Sequence, residues 1–279
     1  MKKGERPNRV DGTVGWLSQK HVLLTGASSG IGKELSKRLA GVCRKLTLVA
    51  RNINGPLDLL KKELEALQEK GGRQPATTIE VHALDVCNVI GVADFIRKIY
   101  ENDKEQVDVF VNCAGGSHVY GTLETMSHAD IERIFDTNAK APIFWMRELL
   151  PRMRRNTIKP YDLKRAHVLL LSSRSGERTL PQLSVYTAAK GSVEKLAEAM
   201  QKEYAQYRIV FTLINPGSIN TAFTAAWSKE MRDAHNAESL TVEEAVEPIM
   251  QALQSQFAIN KVSYESVEQW LNEPGVVKD

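Results

Sequence analysis

Apolar runs of strand length alternate with longer amphipathic segments along most of the 279-residue chain, and this alternation constrains the fold more than any other feature. The runs are "HVLLTG" from residue 21, "KLTLVA" from 45, "TIEVHAL" from 78, "VDVFVN" from 107, "HVLLLSS" from 167 and "RIVFTLIN" from 208. They lack polar alternation, which is typical of strands buried on both faces of a parallel sheet. The segments between them have helical periodicity. We therefore predict an α/β fold with a doubly wound parallel sheet.

Composition and charge argue against several classes of function. The 37 basic and 34 acidic residues leave a formal net charge of +3, and no segment carries the dense Lys/Arg block expected of a nucleic-acid binder. Cys43, Cys87 and Cys113 are odd in number and far apart, which fits neither a disulfide framework nor a metal site. The N-terminus lacks the apolar core of a secretory signal, and no stretch reaches about 18 apolar residues. We expect a cytoplasmic protein without an integral membrane segment, a metal or a nucleic-acid partner.

A glycine-rich turn, "TGASSGIG", joins the first predicted strand to a helix. Glycines in such a turn allow a tight bend and a close approach of the backbone to a pyrophosphate, whose charge meets free N–H groups at the helix N-terminus. The alternative is a purely structural turn. The predicted cofactor contacts in this segment are Gly26, Ser28, Gly30, Ile31 and Gly32.

The spacing of these glycines, G-x-x-x-G-x-G, differs from the commonest dinucleotide fingerprint and resembles the cofactor motif of the short-chain dehydrogenase/reductase family. The resemblance covers about residues 20–224. It implies a Rossmann fold and direct hydride transfer with a nicotinamide cofactor. We expect residues 20–279 to form one dinucleotide-binding reductase domain, preceded by a flexible arm over residues 1–19.

The chain beyond this region is expected to form a small C-terminal substrate lid around residues 222–245. Phe223 and Trp227 are candidate substrate contacts there, and ordinary packing is the alternative for each. Thr241 is predicted to cap the last helix, with Glu244 completing a capping box.

The second strand ends in "LTLVARN", without the acidic residue that the family uses to bind the ribose 2'-hydroxyl of NAD. Arg51 lies there instead, and a guanidinium can pair with the 2'-phosphate of NADP. We therefore predict NADP(H) as the cofactor; the alternative is an exposed arginine without a role. Asp85, after the third strand, matches the family's aspartate near the adenine ring, or it is an ordinary turn residue.

Two further segments match the family's cofactor site. "VNCAG" is similar to its Asn-Asn-Ala-Gly stretch, with Cys113 in place of the second asparagine, and "INPGSINTAF" matches its Pro-Gly segment along the nicotinamide. The residues that these matches assign to the cofactor are Asn112, Ala114, Gly115, Pro216, Gly217 and Thr221. Asn112 is expected to stabilise the sheet or to line the pocket, and the Pro-Gly pair could equally form a plain turn.

"SVYTAAK" contains Tyr186 four residues before Lys190 at the start of a predicted helix. Residues at i and i+4 share a helix face, so both side chains can point into one cleft. Reduction of a carbonyl leaves charge on oxygen, and a tyrosine can donate the proton that neutralises it. A nearby ammonium favours the phenolate and is expected to lower the pKa of Tyr186. The alternative is an ordinary surface pair.

Ser173 and Asn138 complete the catalytic set that the resemblance implies. In the family a serine at this strand end binds the substrate carbonyl, the lysine also holds the nicotinamide ribose, and an asparagine holds a water of the proton relay. Ser172 is the competing serine, but strand alternation points it the other way. Asn138 could otherwise be a polar residue of a long predicted helix over residues 127–153, in which Pro142 indicates a bend or an irregular turn.

The predicted function is that of an NADP(H)-dependent oxidoreductase that reduces a ketone or aldehyde, or oxidises a secondary alcohol, with Tyr186 as proton donor. The resemblance implies a homodimer or homotetramer acting on a small-molecule carbonyl or alcohol. "LTLVARN" and "VNCAG" also resemble reductases of 3-ketosphingoid bases, which makes a lipid ketone a candidate substrate. The alternative is a non-catalytic NADP(H)-binding sensor or scaffold, although such proteins typically lose the tyrosine or the lysine.

Overall fold

A computed structural model describes residues 15–71, 76–101, 105–160, 162–179, 181–221, 239–255 and 260–265, together with residues 223, 227, 229, 232, 233 and 258. Within these residues, seven parallel strands form one sheet in the order β3-β2-β1-β4-β5-β6-β7. The strands are β1 His21–Thr25, β2 Lys45–Ala50, β3 Thr78–Ala83, β4 Val109–Asn112, β5 Ala166–Leu171, β6 Ile209–Pro216 and β7 Lys261–Tyr264. The strand order reverses between β1 and β4, which is where such sheets bind ligands at their carboxyl edge.

Helices cover both faces of the sheet. They are α1 Gly30–Leu39, α2 Asp58–Gly71, α3 Val89–Tyr100, α4 His128–Phe135, α5 Ala141–Met153, α6 Ser184–Tyr204 and α7 Val242–Gln254. The apolar faces of α1, α2 and α7 form one buried cluster with the sheet, and those of α3, α5 and α6 form another on the opposite face. The predicted doubly wound Rossmann fold is therefore confirmed.

The six predicted strands are all present, but two details differ from the sequence-based prediction. β7 was not predicted, because it is a four-residue edge strand in which exposed and buried positions alternate. The single helix predicted over residues 127–153 is interrupted by a π-helical turn, Asp136–Lys140, between α4 and α5. Pro142 accounts for part of this irregularity, because proline has no N–H to donate to a carbonyl in the preceding turn.

The prediction of a flexible arm as far as residue 19 is wrong at its C-terminal end; residues 1–14 lie outside the described residues. Trp16–Gln19 forms a 3-10 turn in which Trp16 and Leu17 are buried. The ammonium of Lys164 lies 4.1 Å from the centre of the Trp16 ring, close enough for a cation–π contact. Lys164 is itself only 1% exposed, although it belongs to the 154–166 segment between α5 and β5, where a polar loop predicts exposure.

The predicted lid lies largely outside the described residues. Of residues 222–245, the structure describes 223, 227, 229, 232, 233 and 239–245. The predicted capping box at the start of α7 is confirmed, since Thr241 and Glu244 each accept the other's backbone N–H. No helix in the described part of the chain is long and apolar enough to cross a membrane. The described residues also contain no group of three His, Cys, Asp or Glu side chains suited to a metal ion.

Candidate active site

The predicted site segments follow successive strands at the carboxyl edge of the sheet. The glycine turn follows β1, Arg51 follows β2, Asp85 lies two residues after β3, and Ser173 lies two residues after β5. Residues 112–115 continue from β4, and residues 216–221 continue from β6. Because parallel strands end at the same edge, the topology gathers these segments on one side of the molecule.

The glycine turn requires its glycines. Gly26 has φ +75°, and a Cβ on it would lie 2.7 Å from the backbone nitrogen of Ala114. A Cβ on Gly32 would lie 2.2 Å from the carbonyl oxygen of Gly26, too close for any side chain. Gly30 has φ +50°, and a Cβ there would lie 3.5 Å from the methyl group of Thr221. Because these three residues have no side chain, the loops after β1, β4 and β6 can lie this close together.

The start of α1 fits an anionic group such as a pyrophosphate. Ser29 occupies the N-cap position without a capping hydrogen bond from its side chain, and the first turn contains no acidic residue. The N–H groups of that turn are therefore available to bind phosphate oxygens. Ser28 is half-buried in the turn, and Ile31 packs against the core beneath it.

Arg51 and Asp85 lie on the side of the site where the sequence predicts the adenosine end of the cofactor. Arg51 is exposed, and no described residue pairs with its guanidinium. Lys33, by contrast, forms an ion pair with Glu63 at 3.3 Å. Asp85 is exposed and accepts a hydrogen bond from the Cys87 backbone at 2.9 Å, as a turn residue does. A contact between Asp85 and the adenine ring stays a prediction.

The residues after β4 form the floor of the site. The buried Asn112 side chain accepts a hydrogen bond from the Thr25 hydroxyl at 3.3 Å and so links β1 to β4. A Cβ on Gly115 would lie 2.8 Å from Oδ1 of Asn138 and 3.1 Å from Nζ of Lys190. The missing side chain at Gly115 therefore leaves room for both polar groups. Burial raises the pKa of the neighbouring Cys113 thiol to about 12, which keeps it neutral.

Asn138 lies in the π-helical turn and fixes the loop after β4. Its side-chain amide donates to the carbonyl oxygens of Gly116 at 2.8 Å and Ile134 at 2.9 Å. The backbone N–H of Gly116 donates in return to Oδ1 of Asn138 at 2.9 Å. Pro142, four residues later, cannot donate the α-helical hydrogen bond to the Asn138 carbonyl. A water of the proton relay at Asn138 stays a prediction.

Ser173 and Tyr186 are brought together at this edge. Tyr186 is 6% exposed in the first turn of α6, and the Ser173 side chain lies beside its phenol, while the Ser173 hydroxyl donates to Oγ of Ser175 at 3.2 Å. Ser173 also accepts the backbone N–H of Ser175 at 3.1 Å, which orients it. The hydroxyl of the competing Ser172 instead donates to the backbone carbonyl of Lys190 at 3.4 Å. The geometry therefore favours Ser173 as the partner of the tyrosine.

Lys190 lies one turn further along α6 and is 3% exposed. Its ammonium donates to the carbonyl oxygen of Leu171 at 2.9 Å and lies 5.7 Å from the centre of the Tyr186 ring. Burial lowers the pKa of Lys190 to about 8. Lys190 is thus poised to change its charge in mildly alkaline solution.

The expectation that Lys190 lowers the pKa of Tyr186 is wrong for this structure. Burial raises the pKa of the Tyr186 phenol above its ordinary value, and the nearby Ser173 side chain opposes this only in part. Loss of water on burial disfavours the charged forms of both side chains. Tyr186 therefore carries its proton at neutral pH.

An ion network behind the Ser173 segment was not predicted from the sequence. Glu194, buried on α6, accepts hydrogen bonds from Asn215 at 2.9 Å and Lys261 at 3.2 Å. Glu177 accepts from the same two residues at 3.0 and 2.6 Å. Burial tends to raise the pKa of Glu177, but these hydrogen bonds prevail and hold it at about 2. The network fastens the loop after Ser173 to α6, β6 and β7; its members are far apart in sequence, so no local pattern reveals it.

The segment after β6 closes the other side of the site. Pro216 ends β6, and the backbone of Gly217 donates to the Tyr264 carbonyl at 2.7 Å. The Thr221 hydroxyl accepts the backbone N–H of Phe223 at 3.2 Å. Thr221 thereby lies between the glycine turn and the start of the predicted lid.

Comparisons with known proteins agree with this architecture. A family model for short chain dehydrogenases matches residues 20–232. Retinol dehydrogenase 8 of Homo sapiens is 34% identical over 202 residues, covering 72% of this chain and 60% of that protein. Dehydrogenase/reductase SDR family member 7B of Xenopus tropicalis is 29% identical over 245 residues, 85% of this chain and 75% of that protein. A short-chain dehydrogenase/reductase structure from Mycobacterium ulcerans has a TM-score of 0.74 at 23% identity, with 88% of each chain covered.

The matched region contains the glycine turn, the Ser173 strand end and the Tyr186 and Lys190 pair. The sheet carries these segments at one edge. The chain therefore belongs to the short-chain dehydrogenase/reductase family, whose members are oxidoreductases that bind a nicotinamide cofactor and act on small molecules.

Proposed function

We propose that this chain reduces a ketone or aldehyde with NADP(H), or oxidises the corresponding secondary alcohol, with Tyr186 as the proton donor. One observation carries this proposal: the buried Tyr186 lies beside Ser173 and one helical turn from Lys190, at the sheet edge that carries the glycine turn. Oxidation of the alcohol would need the phenolate. The raised pKa of Tyr186 keeps the phenol protonated at neutral pH, which is the form that donates a proton to a carbonyl oxygen.

Each catalytic side chain has a distinct task in this reaction. A bound nicotinamide cofactor supplies the hydride. The Ser173 hydroxyl orients the substrate carbonyl, and the Tyr186 phenol donates a proton to its oxygen as charge develops there. The Lys190 ammonium would hold the ribose hydroxyls, and at 5.7 Å from the centre of the Tyr186 ring its charge would attract the tyrosinate that remains, although burial keeps the resting phenol protonated. Asn138 holds the water through which the proton is replaced.

NADP is favoured over NAD by the charges after β2. The exposed Arg51 has no partner among the described residues, whereas Lys33 is paired with Glu63. Because charge-assisted hydrogen bonds contribute about 1.5–3 kcal/mol, Arg51→Ala should raise the KM for NADPH roughly 10- to 100-fold. The KM for NADH should not change. Arg97→Ala, at an exposed arginine of α3, is the matched control.

Steady-state consumption of NADPH against a panel of ketones, aldehydes, quinones, sugars and long-chain 3-keto bases tests the activity. Turnover of a ketone or aldehyde supports the proposal, and a lipid ketone among the best substrates would support the 3-ketosphingoid class. Tight NADPH binding without turnover of any member would instead favour a non-catalytic sensor. We further propose a cytoplasmic homodimer or homotetramer, which light scattering and cell fractionation test.

A further inference from the structure

A row of four aromatic rings leads to the proposed proton donor. Tyr120 and Trp227 have ring centroids 4.8 Å apart, Trp227 and Phe223 are 6.1 Å apart, and Phe223 and Tyr186 are 5.3 Å apart. Tyr186 is buried, while the other three rings are half-buried. We call these four residues the aromatic row. It runs from the protein surface to the group that delivers the proton.

Buried apolar side chains pack around the aromatic row, and Arg232 lies beside it, where its guanidinium donates to the Trp227 backbone carbonyl at 2.8 Å. The buried side chains that pack with the row are Met126, Ile134, Ala139, Leu183, Val185 and Ala189. His118 and Asp130, on the neighbouring segments, are hydrogen-bonded to each other at 2.9 Å, so each already has a polar partner. An apolar substrate body would be stabilised by burial against these side chains, whereas a charged one would lose its hydration there.

The row also forms one wall of the reaction site. A Cβ on Gly116 would lie 3.8 Å from the Phe223 ring, and the adjacent Gly115 faces Asn138 and Lys190. The backbone of Phe223 is held by the Thr221 hydroxyl. Phe223 therefore lies between Tyr186 and the loop after β4. A substrate whose carbonyl reaches the Tyr186 hydroxyl would therefore have the Phe223 ring close to its attached group.

We infer that the aromatic row selects the substrate, which is an apolar ketone or aldehyde with a flat aromatic or conjugated body next to the carbonyl; this rests on the reductase function proposed above. Aromatic rings prefer offset or tilted contacts with other flat rings. The interplanar angles along the row, 47°, 70° and 53°, are of this kind. A flat body can extend these contacts, whereas a puckered ring of equal size gains only burial.

Acetophenone and cyclohexyl methyl ketone test the inference, because they share one carbon skeleton and differ in the planarity of the ring. Their affinities are measured by calorimetry in the presence of the oxidised cofactor, with which neither ketone can be reduced. The wild type should bind acetophenone more tightly, by about 2- to 10-fold. Trp227→Leu and Phe223→Leu should abolish that preference. Phe135→Leu, at an aromatic residue of the same apolar cluster outside the row, should retain it.

Turnover of both ketones with NADPH is measured in parallel. The ratio of the two kcat/KM values in each variant is divided by the same ratio in the wild type, because this cancels the difference in intrinsic reactivity between the two ketones. A binding preference that depends on Trp227 and Phe223 supports the aromatic row even if neither ketone is turned over. In that case only the proposed reaction fails. Equal binding of the two ketones by the wild type, no binding of either, or a preference that survives both substitutions would overturn the inference.

Discussion

Replacing Lys190 by methionine should stabilise the cofactor-free protein while it removes activity. The Lys190 ammonium is buried at the predicted cofactor site, and burial holds its pKa at about 8, below the ordinary value of 10.5. The folded state binds the lysine proton less tightly than the unfolded state does. Folding is therefore disfavoured at every pH at which the lysine is charged in the unfolded chain. Methionine has a similar length and carries no charge, so Lys190→Met removes this penalty.

The pKa values set the size of the effect. Each tenfold change in a protonation equilibrium is worth about 1.4 kcal/mol, so the charged lysine costs roughly 3 kcal/mol below pH 8. Loss of the hydrogen bond to the Leu171 carbonyl offsets about 1 to 2 kcal/mol of this. The variant should therefore be about 1 to 2 kcal/mol more stable at pH 7, which raises Tm by about 2 to 8 °C for a protein of this size.

Urea unfolding at pH 7 and pH 10 tests the cause as well as the sign. Because the folded pKa is depressed, the stability of the wild type rises between pH 8 and 10.5, so the stability difference in favour of the variant should fall there by up to about 3 kcal/mol and reverse its sign. Lys195→Met, at an exposed lysine of the same helix paired with Glu198, is the control and should show little pH-dependent difference. A variant whose stability relative to wild type is the same at both pH values would refute the reasoning.

Three further outcomes follow from the geometry. Gly32→Ala should abolish NADPH binding measured by calorimetry, since its Cβ would lie 2.2 Å from the Gly26 carbonyl oxygen; near-normal affinity would show that the turn can relax. Thr241→Ala should lower the free energy of unfolding by about 1 kcal/mol through loss of the capping box with Glu244, and an unchanged urea midpoint would count against this. Cys113, with a pKa of about 12, should react slowly with iodoacetamide at pH 7 and faster as pH rises, as mass spectrometry can follow; rapid labelling at neutral pH would disagree.

Local features of the sequence predict most of the fold. The strands from β1 to β6 are continuous apolar runs, and the glycine turn has a spacing that only a few backbone conformations permit. The capping box of α7 was likewise predictable, because its hydrogen bonds join residues three apart. These features depend on neighbours along the chain, which a sequence displays directly.

The errors arise where distant residues decide the outcome. Trp16 is buried because Lys164, far along the chain, packs against its ring. The network of Glu177 and Glu194 depends on side chains from three separate elements. The pKa of Tyr186 depends on how deeply the fold buries the phenol. The four-residue spacing in the sequence shows that a lysine lies near the tyrosine, but it does not show how much water the fold removes from the phenol.

Single-turnover reduction of a substrate ketone by Tyr186→Phe, with NADPH affinity measured alongside, tests most directly whether the buried phenol donates the proton. Phenylalanine keeps the ring contact with Phe223 and removes only the hydroxyl that meets Ser173. We predict a loss of about 100- to 10,000-fold in the rate of reduction, with NADPH affinity unchanged. A rate within about tenfold of the wild type would contradict the assignment of Tyr186 as the proton donor.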